Sequence, residues 1–365
     1  MGDEIKYVKS ISCREYTLKL VCFTRQTVWT FSVKESNTSF VVGKRQACIT
    51  KRARPWGKSM KRFKVLVPTD YSEGAELALE HGLYLTRKFE GDLHVLNVAE
   101  LPTIIIPDFP TEIFDMARDQ SLLEMKAALE EFGDDLPPIR RVVLPGIPSK
   151  PAADVIVEYA KEAEIDFIVM GTHGRRGPRR LLLGSVTEEV VRRSPCPVFT
   201  VRNMKKSWPL PIIDKIAVPI DFSERSKQVL GVASMFAEHY GASLTLVHVI
   251  GVDFYPFYGF AVDPIKQIEA NMRTSSEKKL KAMVSELQGA GITSDWCTIS
   301  GHPAREIATF ADLNDIDLIV IGSHGRAGFE RMMLGSVSEK ILRSAHCPVT
   351  VVNTSGDAVQ MGIAA

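Results

Sequence analysis

Two stretches of the sequence place glycines and a serine at one shared spacing, Gly-x2-Gly-x9-Gly-Ser. Gly171, Gly174, Gly184 and Ser185 form the first, and Gly322, Gly325, Gly335 and Ser336 the second. Each follows a short apolar run, DFIVMG or DLIVIG, and leads into a segment with helical spacing. The chemistry this suits is anion binding. Glycines let a backbone come close to a phosphate, and the free N–H groups and dipole at a helix start favour negative charge. The serines add a hydroxyl donor. Neither G-x-G-x-x-G nor G-x4-G-K-[ST] occurs, which argues against a dinucleotide oxidoreductase or a Walker-type NTPase. His173 and His324 lie inside the two stretches without a Ser, Cys or Asp partner at a spacing that would make a catalytic pair, so they read as hydrogen-bonding loop residues. Arg175, Arg176 and Arg326 suit a phosphate clamp and a solvated surface equally. No histidine or cysteine spacing matches a metal site made by the protein alone; Mg2+ would have to arrive with a nucleotide.

The elements that position these residues come from a duplication. Gly171–Val201 matches Gly322–Val352 at 16 of 31 positions without a gap, at an offset of 151 residues. The same offset relates Val-Pro-Thr-Asp at 67–70 to Val-Pro-Ile-Asp at 218–221. A repeat this long is a whole domain rather than a solenoid unit of ~20–50 residues. In each copy, strand and helix signals alternate. FKVLVPT (63–69) and KIAVPI (215–220) read as buried strands, each followed by Asp70 or Asp221 and then a serine, Ser72 or Ser223, suited to cap a helix that stops near Gly91 or Gly241. Asp70 and Asp221 suit a helix-start role and a ligand contact equally. LHVLNV (93–98) and LTLVHV (244–249) are second strands, followed by amphipathic helices at 112–132 and 264–288. Strands at 140–144 and 294–299, 166–171 and 317–322, and 197–201 and 348–352 complete each set. This alternation predicts an α/β protein with two doubly wound parallel sheets, whose ligands sit beyond the strand carboxyl ends.

Taken together, the strand ending in Pro-Thr-Asp or Pro-Ile-Asp, the second strand ending in Asn-Val or His-Val, the Gly-Thr/Ser-His-Gly run with its x9 spacing to Gly-Ser, and the final Cys-Pro-Val strand resemble universal stress protein domains. The resemblance covers residues 60–203 and 212–353, leaving 1–59 as an extension, 204–211 as a linker and 354–365 as a tail. It implies a Rossmann-like five-stranded sheet in order 3-2-1-4-5, pairing of the two domains, and binding of ATP or a related adenine nucleotide. Carried over by position, it places Pro68, Thr69, Asp70 and Val98 around the adenine and ribose, with Gly171, Gly174, Gly184, Ser185 and Val186 around the phosphates. In the second copy the matches are Pro219, Ile220, Asp221 and Val249, then Gly322, Gly325, Gly335, Ser336 and Val337. Ile220 in place of Thr69 removes one hydroxyl. The function implied is a non-enzymatic or at most weakly hydrolytic nucleotide binder in stress response or signalling, acting through conformation or partner binding; a homodimer and an unidentified protein partner are compatible with it. A weak ATPase on the same fold and a nucleotide-independent scaffold stay open as alternatives.

Composition bounds the remaining choices. No run approaches the ~20 apolar residues of a membrane helix, and six cysteines in 365 residues, with no C-x-x-C pair, do not make a disulfide framework. A reducing cytoplasm is the expected setting, with Cys196 and Cys347 as packed thiols. The formal net charge of +1 conceals an asymmetry: residues 1–59 carry 12 Lys and Arg against 4 Asp and Glu, and residues 60–365 carry 33 against 40. The basic stretch near 51–63 lacks the interleaved aromatics of a nucleic-acid site, so no nucleic-acid partner is expected. Residues 1–59 do not repeat. They read as three strands and a basic linker, and suit a small ordered extension, a disordered arm or an upstream start codon. Met60 stands one short step before the first strand, which predicts translation from Met60. Mass spectrometry of the native protein should find no peptide from before Met60; one such peptide overturns the expectation.

Overall fold

The computed structural model describes residues 62–100, 111–133, 136–147, 149–172, 183–202, 213–251, 262–324 and 334–353, with four strands near the N-terminus. The chain divides into two compact units, Met1–Ser59 and Met60–Ala365. The smaller is an antiparallel sheet in chain order: β1 (Ile5–Ser12), β2 (Tyr16–Phe23), β3 (Gln26–Val33) and β4 (Ser39–Arg45). Three of these match sequence expectation. β1 does not stand out locally, because Lys6 and Lys9 break its apolar pattern; its register comes from pairing, with Lys9 opposite Leu20 and Ile11 opposite Leu18. The basic linker at 51–61 lies outside the described residues.

The larger unit alternates strand and helix throughout. Its first half runs β5 (Lys64–Thr69), α1 (Glu73–Lys88), β6 (Asp92–Glu100), α2 (Thr111–Glu130), β7 (Ile139–Gly146), α3 (Ala152–Glu162), β8 (Phe167–Gly171), α4 (Ser185–Arg193) and β9 (Val198–Val201). The second half repeats it: β10 (Lys215–Pro219), α5 (Arg225–Tyr240), β11 (Ser243–Ile250), α6 (Val262–Gly289), β12 (Ser294–Ser300), α7 (Pro303–Leu313), β13 (Leu318–Gly322), α8 (Ser336–Ser344) and β14 (Val349–Val352). All fourteen strands and eight helices belong to the described residues. The large sheet has ten strands in the order β12-β11-β10-β13-β14-β9-β8-β5-β6-β7. Each half is therefore 3-2-1-4-5, as expected.

Right-handed crossovers put the helices on both faces. On one face, a Cβ added at Gly82 of α1 would lie 2.3 Å from Val67 of β5, so helix and strand touch through a glycine. On the other, Leu66 and Ile168 pack with Ile156 of α3 and Val190 of α4, and this cluster runs on into Ile307, Ile319 and Ile341 of the second half. The halves join where β9 and β14 pair antiparallel, the one antiparallel contact in the large sheet, with Thr200 opposite Val349 and Val351 opposite Val198. Thr200 Oγ1 also donates to the Val349 carbonyl at 2.9 Å. Above the seam Phe236 of α5 is fully buried. Its ring meets Phe167 edge-on at 5.4 Å and lies 6.1 Å from Phe199. Beyond the seam the side chains at 202 and 353, again 151 apart, reach across. Arg202 donates to the Ala345 carbonyl at 3.1 Å and to the Arg343 carbonyl at the end of α8. Asn353 donates to the Ser194 carbonyl at 2.8 Å at the end of α4.

Helix ends depart from expectation in two places. Ser72 caps α1, its side chain accepting from the Ala75 N–H. Ser223 does not cap α5, whose N-cap is Glu224; the Ser223 hydroxyl donates instead to Asp221 at 2.7 Å. Gly241 ends α5 in the left-handed region at φ 71°, whereas after α1 that conformation falls on Glu90 and Gly91 is needed for closeness, since a Cβ there would sit 2.2 Å from the Phe63 carbonyl oxygen. No helix among the described residues is long and apolar enough to cross a membrane.

Two expectations follow from this packing. Truncating Phe236→Ala removes the centre of the seam and should lower unfolding free energy by about 3–5 kcal/mol in urea denaturation; a loss below about 1 kcal/mol would show that the seam repacks. His81 of α1 lies against Phe199, and burial pushes its pKa from 6.5 down to about 4. Below pH 6.5 the unfolded chain takes up this proton while the folded chain resists it. The stability present at pH 7 is thus lost as pH falls toward 4, by about 3 kcal/mol in full. The melting temperature of His81→Leu should fall less steeply than the parent's across that window, and parallel curves would refute the assignment.

Candidate functional site

β5 pairs with β6 on one side and β8 on the other, and the chain leaves β5 toward β6 but returns to β8 after β7. The carboxyl ends of β5 and β8 therefore flank a point where strand order reverses, the place where α/β sheets open a crevice. β10 and β13 do the same in the second half. Pro68 and Thr69 close β5, with Asp70 just beyond, and Pro219 closes β10 ahead of Ile220 and Asp221. Each aspartate folds onto the following serine. Asp70 Oδ1 accepts from the Ser72 N–H at 3.1 Å and hydroxyl at 2.6 Å, and Asp221 Oδ1 accepts from the N–H and hydroxyl of Ser223 and from the Ser226 hydroxyl at 2.8 Å. The turn needs a left-handed residue between, and it is aromatic in both copies: Tyr71 at φ 60° and Phe222 at φ 62°. Holding a bulky residue there costs on the order of 1 kcal/mol or more and persists only where neighbours enforce it.

Next to this turn, the second strand contributes a side chain that spacing alone did not single out. Asn97 Nδ2 donates to the Thr69 carbonyl at 2.8 Å, and His248 Nδ1 donates to the Ile220 carbonyl at 2.6 Å. Val98 and Val249 follow directly, at the carboxyl ends of β6 and β11. The one available signal was a polar residue directly before the same valine in both second strands.

The glycine segments start where β8 and β13 end. Gly171 has a packing reason of its own, since a Cβ there would lie 2.6 Å from the Gly74 carbonyl oxygen in α1. The Gly171 carbonyl accepts from Thr187 Oγ1 at 2.8 Å, and the Gly322 carbonyl accepts from Ser338 Oγ at 2.7 Å, so each helix hangs from the end of its own strand. His173, Gly174, Arg175 and Arg176, and Gly325 with Arg326, lie outside the described residues. The segments come back at Gly184 and Gly335, whose N–H groups donate to the carbonyls of Thr172 and Ser323, both at 2.8 Å. A Cβ at Gly335 would be 3.0 Å from the Ser323 oxygen. Gly184 and Gly335 are the N-caps of α4 and α8, and neither helix start has a side-chain cap, in contrast to α1. Ser185 with Val186, and Ser336 with Val337, thus open helices near the carboxyl ends of β8 and β13, with no side-chain cap from their glycine N-caps. Glu188 and Glu339, in the first turns, are both engaged by Arg343, at 3.4 and 2.8 Å. His324 is buried, with Nδ1 3.1 Å from Ser323 Oγ. Cys196 and Cys347 follow the ends of α4 and α8, where burial pushes both thiols up to about 12.

Comparison with known proteins agrees with this architecture. The model of the universal stress protein family matches residues 61–202 and again 213–353. Over 149 residues the chain is 32% identical to the universal stress protein MJ0531 of Methanocaldococcus jannaschii, covering 39% of this chain and 84% of that protein. Over 201 residues it is 32% identical to the universal stress protein Rv2005c of Mycobacterium tuberculosis, covering 55% of this chain and 65% of that one. The fold is shared with the crystal structure of a universal stress protein from Archaeoglobus fulgidus, at a TM-score of 0.61 and 23% identity over 80% of this chain and 98% of that one. With the same strand order in both halves of the ten-stranded sheet, a repeated glycine segment and a family match across both halves, the chain belongs to the universal stress protein family.

Proposed function

We propose that the domains at residues 60–203 and 212–353 each bind one adenine nucleotide, ATP or a close relative, and that the protein acts in stress response or signalling through nucleotide-dependent conformation or partner binding. The observation that carries this reading is the pair of helix starts at Gly184–Ser185 and Gly335–Ser336, left without a side-chain cap at the reversal point of each sheet. Such a terminus holds an anion through backbone N–H groups and the helix dipole. In this reading Gly171, Gly174, Gly184, Ser185 and Val186, with Gly322, Gly325, Gly335, Ser336 and Val337, hold the phosphates. Pro68, Thr69, Asp70 and Val98, with Pro219, Ile220, Asp221 and Val249, take the base and ribose, and Mg2+, where present, comes with the nucleotide.

The competing reading, a scaffold that works without nucleotide, draws support from a domain seam that is complete within one chain. Because β9 and β14 already pair with each other, a homodimer would have to use another surface. Equilibrium binding of labelled ATP separates the two. The parent should bind up to two equivalents, and Gly174→Val combined with Gly325→Val should weaken binding by at least about tenfold, because each valine places a side chain where the backbone must approach phosphate. Undiminished binding refutes the site, and absence of binding to the parent favours the scaffold.

A further inference from the structure

We infer that Asn97 and His248 are positioning residues, each locking the peptide after the first strand of its domain to the end of the second, and that the second site leans on its one more heavily. The inference rests on the nucleotide-binding reading above. The two residues stand 151 apart, differ in chemistry, and make one and the same bond: an amide N–H in the first domain and an imidazole Nδ1–H in the second reach the carbonyl of residue 69 or 220. A carbonyl oxygen only accepts, so His248 carries its proton on Nδ1 in this contact. That a different donor serves the same acceptor in each copy points to the bond, rather than the side chain, as what the position requires. The bond lies at the floor of the crevice. On one side is the peptide leading into Asp70 or Asp221, and on the other the residue before Val98 or Val249.

The copies differ in what else steadies this floor. In the first domain Thr69 Oγ1 accepts from the Tyr71 N–H at 3.1 Å, and the Tyr71 hydroxyl donates to the Ser121 carbonyl of α2 at 2.9 Å. The turn is thus tied at two points that do not involve Asn97. In the second domain Ile220 has no hydroxyl and Phe222 has no phenol. The Phe222 ring packs instead on His248, centroids 4.4 Å apart, with Lys279 Nζ 5.1 Å from its centroid on the other element packed there. His248 thus touches both the strand-end carbonyl and the aromatic residue at φ 62°, while Ser226 adds a third donor to Asp221 in this copy.

The test isolates one site at a time with labelled ATP, using Gly174→Val to silence the first and Gly325→Val to silence the second. Adding His248→Ala to the first background should weaken affinity about tenfold or more, while Asn97→Ala in the second should cost about threefold, because Thr69 and Tyr71 remain. Two rescues distinguish positioning from mere loss of fold. His248→Asn should stay within about threefold of its parent, and Ile220→Thr added to His248→Ala should recover part of the loss by restoring the hydroxyl that Thr69 supplies in the first domain. An effect of His248→Ala below about twofold, or a loss that neither rescue reduces in a protein of unchanged melting temperature, overturns the proposal. If the singly silenced parents themselves bind no ATP, the nucleotide reading fails and this inference with it; if they bind and the His248 series is flat, only this inference fails.

Discussion

The antiparallel contact between β9 and β14 is the interaction on which the rest of this molecule depends. A parallel five-stranded sheet has two edges, and each edge leaves a row of backbone donors and acceptors unpaired. Here the fifth strands, four buried residues each, satisfy one another, and two domain-sized sheets become a single ten-stranded layer. The seam is filled above by the Phe167, Phe199 and Phe236 rings and below by an aliphatic cluster that passes from α3 and α4 into α7 and α8 without a break. A core that continuous gives the halves little freedom to separate.

The seam also bears on the candidate sites, because α4 and α8 have their starts at the crevices and their ends at the partner domain. Each is nine residues, which at 1.5 Å per residue spans about 13 Å. Asn353 holds the end of α4 and Arg202 the end of α8, while Thr187 and Ser338 tie the first turns to their own strands. An anion site at a helix start is useful only if the helix cannot shift, and here both ends are pinned. α1 closes its own start with Ser72, while α4 and α8 start from glycine backbone at the carboxyl ends of β8 and β13.

The duplication produced two strand-end turns with one plan and different supports. Thr69, Tyr71 and Asn97 share the work in the first domain; Ile220, Phe222 and His248 concentrate it in the second. Both solutions enforce the same left-handed aromatic turn, which no local preference would choose. Residues 5–45 form an antiparallel sheet of their own, with no counterpart in the repeat.

The strand order within each domain came with the family resemblance, whereas the number of domains in the larger unit and the helix starts at Ser185 and Ser336 were determined by the sequence pattern itself. Those two rest on short-range signals, apolar periodicity and glycine placement, and the 151-residue offset let each copy check the other. The sequence was less able to separate roles at a single position. Ser72 and Ser223 look alike in sequence and both bond the preceding aspartate, yet only Ser72 caps a helix, since α5 starts later, at Arg225 after Glu224. Gly171 reads as a phosphate glycine, and its tightest contact is with Gly74, about a hundred residues earlier in the chain. Asn97, His248, Arg202 and Asn353 were not legible as partners at all. Each acts on a backbone carbonyl, and a carbonyl has no residue type to betray it; which one lies within reach is decided only when the sheet brings distant strands side by side.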